Sequence, residues 1–426
     1  MQSVEVYPSQ SFDLRISTIA PDKSISHRSV MFAMLADGVS EIENFLRAED
    51  TMNSLEIVKN LGAHVEDNGE VIKISSDGIK EPFEILDCGN SGTGMRLFCG
   101  LLSSANGHFV LTGDKYLRRR PMKRVTAPLI SIGAHIDGRE NGDLAPLSIR
   151  GASLKAFDYE SSIASAQVKS CMILAALRAD GVCSYTEPEL SRDHTERMLS
   201  GMGADITVDG LKTTIKPMTQ LLTPLKIRVP ADPSSAFFFA VATAITPGAQ
   251  IVLEGVTLNP TRIEAFKVLE HMGANITYEL TDNKYEPIGD ITIKYAPLHA
   301  VTVEHNISWL IDELPALSIA MACAEGESVV KNAEELRVKE SDRIATVVQG
   351  LRACGIEVHE YKDGYSIIGG SLQHAEVDSD GDHRIAMSFI IAGLRCGMKV
   401  TDLECINTSF PNFFELLQKI TKVEFV

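Results

Sequence analysis

No apolar run in this sequence approaches the ~18 residues that a membrane-crossing helix needs. Its first residues lack the charged start and apolar core of a signal peptide. The eight cysteines (Cys88, Cys99, Cys171, Cys183, Cys323, Cys354, Cys396 and Cys405) are scattered, and no two form a CxxC pair. That spacing argues against a disulfide framework or structural zinc and suits a reducing, cytoplasmic setting. The histidines show no HxxxH or similar spacing, so no metal is assigned. Neither a GK[ST] loop nor a GxGxxG after a strand is present, which disfavours nucleotide binding by those routes. Positive charge is also short: 40 Lys and Arg stand against 57 Asp and Glu, a formal net charge of −17. Nucleic acid and anionic membranes are therefore poor partners for the surface as a whole.

What is present is an ordinary globular composition, 44% hydrophobic and 23% charged over 426 residues, with room for two or three domains. A short signature closes five helical segments: NLGAHV, SIGAHI, GMGADI, HMGANI and ACGIEV. Their glycines, Gly62, Gly133, Gly203, Gly273 and Gly355, are spaced by 71, 70, 70 and 82 residues. Each sits where a helix C-cap belongs, with β-prone residues after it. The terminal FELLQKITKVEF has the same shape with Thr421 in the glycine position, so six units of about seventy residues account for the chain. In the first unit the pattern predicts helices over 27–36 and 50–61, a strand over 41–46, and a hairpin of 64–65 with 71–74 turning at Asp67-Asn68-Gly69. The unit reads as βαβαββ, an α/β class.

A second signature opens the first helix of each unit, at Lys23, Ser91, Ser165, Ser234, Asp312 and Asp382. Ser, Asp and Asn there are N-cap chemistry. Lys23, Arg28, Arg96 and Arg384, however, crowd the positive ends of helix dipoles, where cations are unfavourable unless anions visit. GNSGTGMRL, 89–97, lets backbone amides approach an anion closely, and the RRRPM stretch offers arginine forks to carboxylate or phosphate. A helix over 340–351 would put Lys339 and Arg343 on one face beside Glu340. Asp312, in the apolar SWLIDELPALSIAMA, is either a helix cap or a carboxylate acting as a base, and Glu340 is the other acid/base candidate.

With these residues laid out, the chain resembles the 5-enolpyruvylshikimate-3-phosphate synthase family over nearly its full length. The resemblance rests on DKSISHR, GNSGTGMR, RRRPMKR, SAQVKS, SRDHTE, DELPA, LRVKESDR and DHRIAMSF, in that order. It implies a two-domain inside-out α/β barrel of six βαβαββ repeats, with chain crossings near residues 20 and 230. One domain, 21–229, would carry mainly the shikimate 3-phosphate site. The other, 1–20 plus 230–426, would carry the base, the acid and part of the phosphoenolpyruvate site. The implied reaction moves the enolpyruvyl group of phosphoenolpyruvate to the 5-hydroxyl of shikimate 3-phosphate, releasing phosphate, on the shikimate pathway to chorismate and the aromatic amino acids. No metal or organic cofactor is implied, and the partners are these two small molecules acting on a monomer.

By motif, the resemblance assigns Lys23, Ser24, Arg28, Ser165, Ala166, Gln167, Arg192, Asp312 and Lys339 to shikimate 3-phosphate. Lys23, Asn90, Gly92, Arg120, Gln167, Arg343 and Arg384 fall to phosphoenolpyruvate. Asp312 is the implied base for the 5-hydroxyl, Glu340 the acid for the methylene carbon, and Lys23 a further catalytic group. SAQVKS and SRDHTE are similar to the family's second class. Thr408 stands where the first class carries a lysine, and Gly92 stands where glyphosate-tolerant members often carry alanine, which implies sensitivity. The related UDP-N-acetylglucosamine enolpyruvyl transferases place a reactive cysteine before their RP dipeptide, and GDKYLRRRP has none. A non-catalytic anion-binding protein on the same scaffold would be expected to lack Asp312 or Glu340, and both are present.

Overall fold

The computed structural model describes residues 3–283 and 285–426. The chain divides into two compact units. One comprises Pro21–Val229 with a short stretch ending at Glu286, and the other the chain up to Ala20, Pro230–Asn283 and Pro287–Val426. Among the described residues each unit holds three four-stranded sheets on one plan: a parallel pair at one edge, then two antiparallel pairings. The architecture is mixed α/β.

The second repeat shows how sequence produces this plan. Leu86–Asp87 leads through helix Gly92–Leu102 to the parallel strand His108–Thr112. A parallel pairing requires such a crossover. Helix Lys123–Ser131 then precedes the hairpin of His135–Gly138 and Leu144–Arg150. Alternation puts Phe109, Leu111, Leu147 and Ile149 in the core, with Phe109 opposite Ile149 and Leu111 opposite Leu147. The five signature glycines all adopt φ between 78° and 109°, the left-handed region in which a side chain is strained.

The first repeat matches its expected elements within a few residues: helices Lys23–Ala33 and Glu49–Asn60, strand Ser40–Glu43, and hairpin His64–Asp67 with Val71–Ser75. Its leading strand comes from elsewhere. Lys226–Arg228, after the third repeat, pairs in parallel with Glu41–Glu43. The other unit closes in the same way: Asp13–Ile16 pairs with Gln250–Leu253, and Ser3–Val6 lies between Met398–Thr401 and Val423–Phe425.

Two kinds of helix follow from composition. The first helix of each repeat is buried on nearly every face; Pro233–Ile245 (PSSAFFFAVATAI) has no exposed residue. In the Pro21–Val229 unit, Gly92–Leu102 packs against Ala166–Ala176 so closely that a Cβ on Gly100 would stand 2.1 Å from the Cys171 carbonyl oxygen. The second helices, such as Glu49–Asn60, bury one face only.

Candidate functional site

In the Pro21–Val229 unit the first helices of three repeats bring their N-termini together. Asp22, buried, caps Lys23–Ala33 by accepting from the Ile25 amide at 2.8 Å, so the cap lies one residue ahead of Lys23. Lys23 is half-buried with Nζ 2.5 Å from Oδ2 of buried Asp50. Arg28 is buried: Nε donates to Thr195 Oγ1 at 2.7 Å, Nη2 to Ser170 Oγ at 2.8 Å, and Nη1 to the Ser24 carbonyl at 3.0 Å. Ser24 thus touches Arg28 through its carbonyl, and its side chain is half-buried.

Ser91 caps Gly92–Leu102 by accepting from the Gly94 amide at 2.9 Å. Arg96 donates to Gln167 Oε1 and to the Pro121 carbonyl, and Gln167 Nε2 donates to Thr93 Oγ1 at 2.9 Å. Arg120 Nη1 donates to the Asn90 carbonyl at 3.3 Å, while Arg118 and Arg119 are exposed. Ser165 is the N-cap residue of Ala166–Ala176 but makes no side-chain cap bond, and Ser165, Ala166, Gln167 and Arg192 are all half-buried. The structure therefore gathers Arg28, Asn90, Gly92, Arg120 and Gln167 with the start of the SAQ helix in one basic region.

Beneath it lies an ionic group that motif reading passed over. Lys169 Nζ is 2.7 Å from Glu187 Oε1 and 2.8 Å from Glu196 Oε1, with all three side chains at most 5% exposed. Burial alone would lower the Lys169 pKa, but the two carboxylates outweigh it and raise it; burial raises that of Glu196. Lys169 and Ser170 are neighbours, as are Glu196 and Thr195, so the ion pair runs beside a 2.7 Å hydroxyl contact between Ser170 and Thr195.

In the other unit the organising group is Arg343. Its side chain is 1% exposed, and each nitrogen meets a carboxylate: Nε with Asp382 Oδ2 at 2.8 Å, Nη2 with Glu340 Oε2 at 2.8 Å, and Nη1 with Asp312 Oδ1 at 3.2 Å. Nη1 also donates to the Ile311 carbonyl at 3.1 Å. Burial would lower the Arg343 pKa, yet Asp382, Glu340 and Asp312 together hold it above its ordinary value. Asp382 is wholly buried and caps His383–Cys396 through the Arg384 amide, so it anchors the guanidinium. The side chains of Glu340 and Asp312 remain 25% and 27% exposed, which leaves both accessible to a visiting molecule.

Two sequence expectations change here. The helix begins at Arg343, capped by Asp342 through the Ala345 amide at 3.0 Å, so Lys339 and Glu340 precede it and do not share its face with Arg343. The short capping side chain of Asp342 outcompetes helical extension toward Glu340. Asp312 is not the N-cap residue of the next helix, Leu314–Ala322; that residue is Glu313. Lys339 Nζ contacts Glu335 Oε1 at 2.9 Å, and burial lowers its pKa against the opposing pull of Glu335 and Asp312. Arg384 is buried, lies 5.8 Å from the centre of the Phe238 ring, and leaves Nε and Nη1 without a hydrogen-bond partner. A buried guanidinium in that condition is suited to an incoming anion. Thr408 spends its hydroxyl on the Cys405 carbonyl at 2.7 Å.

Among the described residues no cluster of three or more His, Cys, Asp or Glu could hold a metal ion. The sequence signal for Asp382 as anchor was its position at a helix start. Asp50, Ser170 and Thr195 gave no signal of their own, because their roles depend on contacts across many residues.

Comparison with known proteins converges on one group. The family model of EPSP synthase (3-phosphoshikimate 1-carboxyvinyltransferase) matches residues 8–417. A 3-phosphoshikimate 1-carboxyvinyltransferase of Sulfurimonas denitrificans is 79% identical over 425 residues, covering 100% of this chain and 99% of the relative. One from a Nitratiruptor species is 65% identical over 430 residues, covering 100% and 99%. The solved EPSP synthase of Acinetobacter baumannii superposes with a TM-score of 0.89 at 41% identity, covering 100% of both chains.

Proposed function

This chain belongs to the EPSP synthase family, and we propose that its two units divide the work of that family's reaction. The activity is that of a 3-phosphoshikimate 1-carboxyvinyltransferase: the enolpyruvyl group of phosphoenolpyruvate passes to the 5-hydroxyl of shikimate 3-phosphate, and phosphate is released. Lys23, Ser24, Arg28, Ser165, Ala166, Gln167 and Arg192 bind shikimate 3-phosphate, with Lys339 and Asp312 on the same substrate. Lys23, Asn90, Gly92, Arg120, Gln167, Arg343 and Arg384 take phosphoenolpyruvate.

The observation that carries the chemistry is the pair of accessible carboxylates held on adjacent nitrogens of one buried guanidinium, Glu340 and Asp312 on Arg343. Asp312 accepts the proton of the 5-hydroxyl as its oxygen attacks C2 of phosphoenolpyruvate. Glu340 donates a proton to C3, so the C2=C3 bond opens as the new C2–O bond forms. In the tetrahedral adduct that results, Glu340 takes a proton back from the C3 methyl, C2=C3 re-forms, and the C2–O bond to phosphate breaks. Each proton transfer by a positioned group is worth roughly 10²- to 10⁴-fold. Lys23, Arg120, Arg343 and Arg384 stabilise the charge on the departing phosphate and the carboxylate.

We further propose a cytoplasmic monomer without nucleic-acid or membrane partners. The net charge of −17, the eight free cysteines and the absence among the described residues of any helix long and apolar enough to cross a membrane support this.

The test mixes protein, phosphoenolpyruvate and shikimate 3-phosphate without added metal and follows ³¹P signals. Inorganic phosphate should appear together with an enol-ether product. Release with UDP-N-acetylglucosamine but not with shikimate 3-phosphate would overturn the acceptor, and silence with both would overturn catalysis.

A further inference from the structure

Lys339 and Glu340 lie on a short connection between the 3-10 turn Glu334–Val338 and the helix Arg343–Ala353. Such a segment needs something outside itself to fix it, since Val338 is exposed and both functional side chains are half-buried. The preceding turn supplies Arg337. Its Nε donates to the Lys362 carbonyl at 2.8 Å, and its Nη2 donates to the Tyr361 carbonyl at 2.7 Å and to Glu360 Oε1 at 3.0 Å. Its Nη1 donates to Asp342 Oδ2 at 2.8 Å. Four acceptors in different directions fix the plane of the guanidinium, which a lysine ammonium could not reproduce.

The acceptors belong to two different structures. Glu360, Tyr361 and Lys362 form the end of the hairpin made by Glu357–Tyr361 and Gly364–Ile368. The same hairpin end receives the Ala333 amide at Asp363 O, 2.7 Å, and pairs Lys362 Nζ with Glu334 Oε1 at 2.8 Å. Asp342 is the helix cap, with Oδ1 on the Ala345 amide and Oδ2 on Arg337. One carboxylate thus ends the loop and ties it back to its beginning.

We propose that Arg337 is a positioning residue for the enolpyruvyl transfer. Bridging the hairpin end and the Asp342 cap, it closes the loop that presents Lys339 and Glu340. The proposal rests on Glu340 being the proton donor. Loss of the clasp loosens the backbone behind Glu340, so that its carboxylate, still held by Arg343 on buried Asp382, shifts by about an ångström. Misplacement on that scale can cost about 10²-fold in rate.

The test is steady-state kinetics of Arg337→Met and Arg337→Lys beside the wild type, with thermal midpoints. For Arg337→Met, kcat should fall by about 10²-fold while KM for phosphoenolpyruvate stays within about twofold, because uniform binding is retained. Arg337→Lys reaches one or two of the four acceptors and should recover part of kcat. An Arg337→Met kcat equal to wild type would overturn the proposal, as would a kcat loss no greater than the loss of folded protein in both variants. If Arg337→Met does not fold, Glu360→Ala, which removes the Glu360 acceptor of Arg337 Nη2, should still lower kcat a few-fold at unchanged KM, and an unchanged kcat there would overturn it. A wild type without turnover would sink this proposal and the assigned reaction together; an active wild type with unaffected variants would sink this one alone.

Discussion

Gly92 and Arg120 stand so close that a Cβ on the glycine would lie 2.9 Å from Arg120 Nη1, and 3.0 Å from Arg96 Nη1. The absence of a side chain at Gly92 therefore sets where both guanidinium groups rest. Gly92→Ala should push Arg120 off its position and weaken a charge-assisted contact worth ~1.5–3 kcal/mol, raising KM for phosphoenolpyruvate about tenfold or more. Inhibition by glyphosate should weaken in the same variant. An unchanged KM would remove Arg120 from the phosphoenolpyruvate site.

Glu340→Gln retains size and hydrogen bonding but cannot give and retrieve a proton. Turnover should drop by about 10²- to 10⁴-fold, with substrate affinities measured calorimetrically close to wild type. Turnover near the wild-type rate would assign the C3 proton to another group.

His27 is buried with Nδ1 2.7 Å from Ser54 Oγ and Nε2 3.2 Å from Ser91 Oγ. Burial, then Lys23 and Arg28, hold its pKa well below the ordinary value, so the folded protein keeps the ring neutral. The unfolded chain protonates first as pH falls, so the stability this group contributes is present above about pH 6.5 and lost below it, by up to ~1.4 kcal/mol per pH unit. Urea unfolding between pH 7 and 5 should show a shallower decline for His27→Gln than for wild type. Parallel declines would mean that His27 is protonated in the fold.

Lys169→Met would leave Glu187 and Glu196 buried without their cation. Removing one partner of a buried ion pair costs about 3–5 kcal/mol, and adding Glu196→Gln should restore part of it. Denaturant midpoints of the single and double variants give the comparison. A double variant no more stable than the single one would show that the carboxylate charge is not the source of the loss.

The repeat was legible because one backbone requirement recurs. Gly62, Gly133, Gly203, Gly273 and Gly355 all need a left-handed φ after a helix, and few other residues accept it. The sheets were less legible: nothing near Glu41–Glu43 announces that its parallel neighbour is Lys226–Arg228, since strand pattern reports burial rather than partner. At the site, cations near helix starts marked Arg28, Arg343 and Arg384 as candidates. Their settings differ in ways the sequence hides: hydroxyls hold Arg28, three carboxylates hold Arg343, and Arg384 keeps two unpartnered nitrogens. The helix expected to begin at Glu340 was displaced to Arg343 by a single Asp342 hydrogen bond, a competition between adjacent polar residues that periodicity does not resolve.

The borrowed strands have a consequence during synthesis. A chain leaving the ribosome can complete all three sheets of the Pro21–Val229 unit once Arg228 has emerged. Asp13–Ile16, made earlier, must wait for Gln250–Leu253, and Ser3–Val6 must wait for Met398–Thr401. Asp13–Ile16 and Ser3–Val6 thus stay unpaired while the long stretches before their partners are made, and in that interval they need protection from wrong partners.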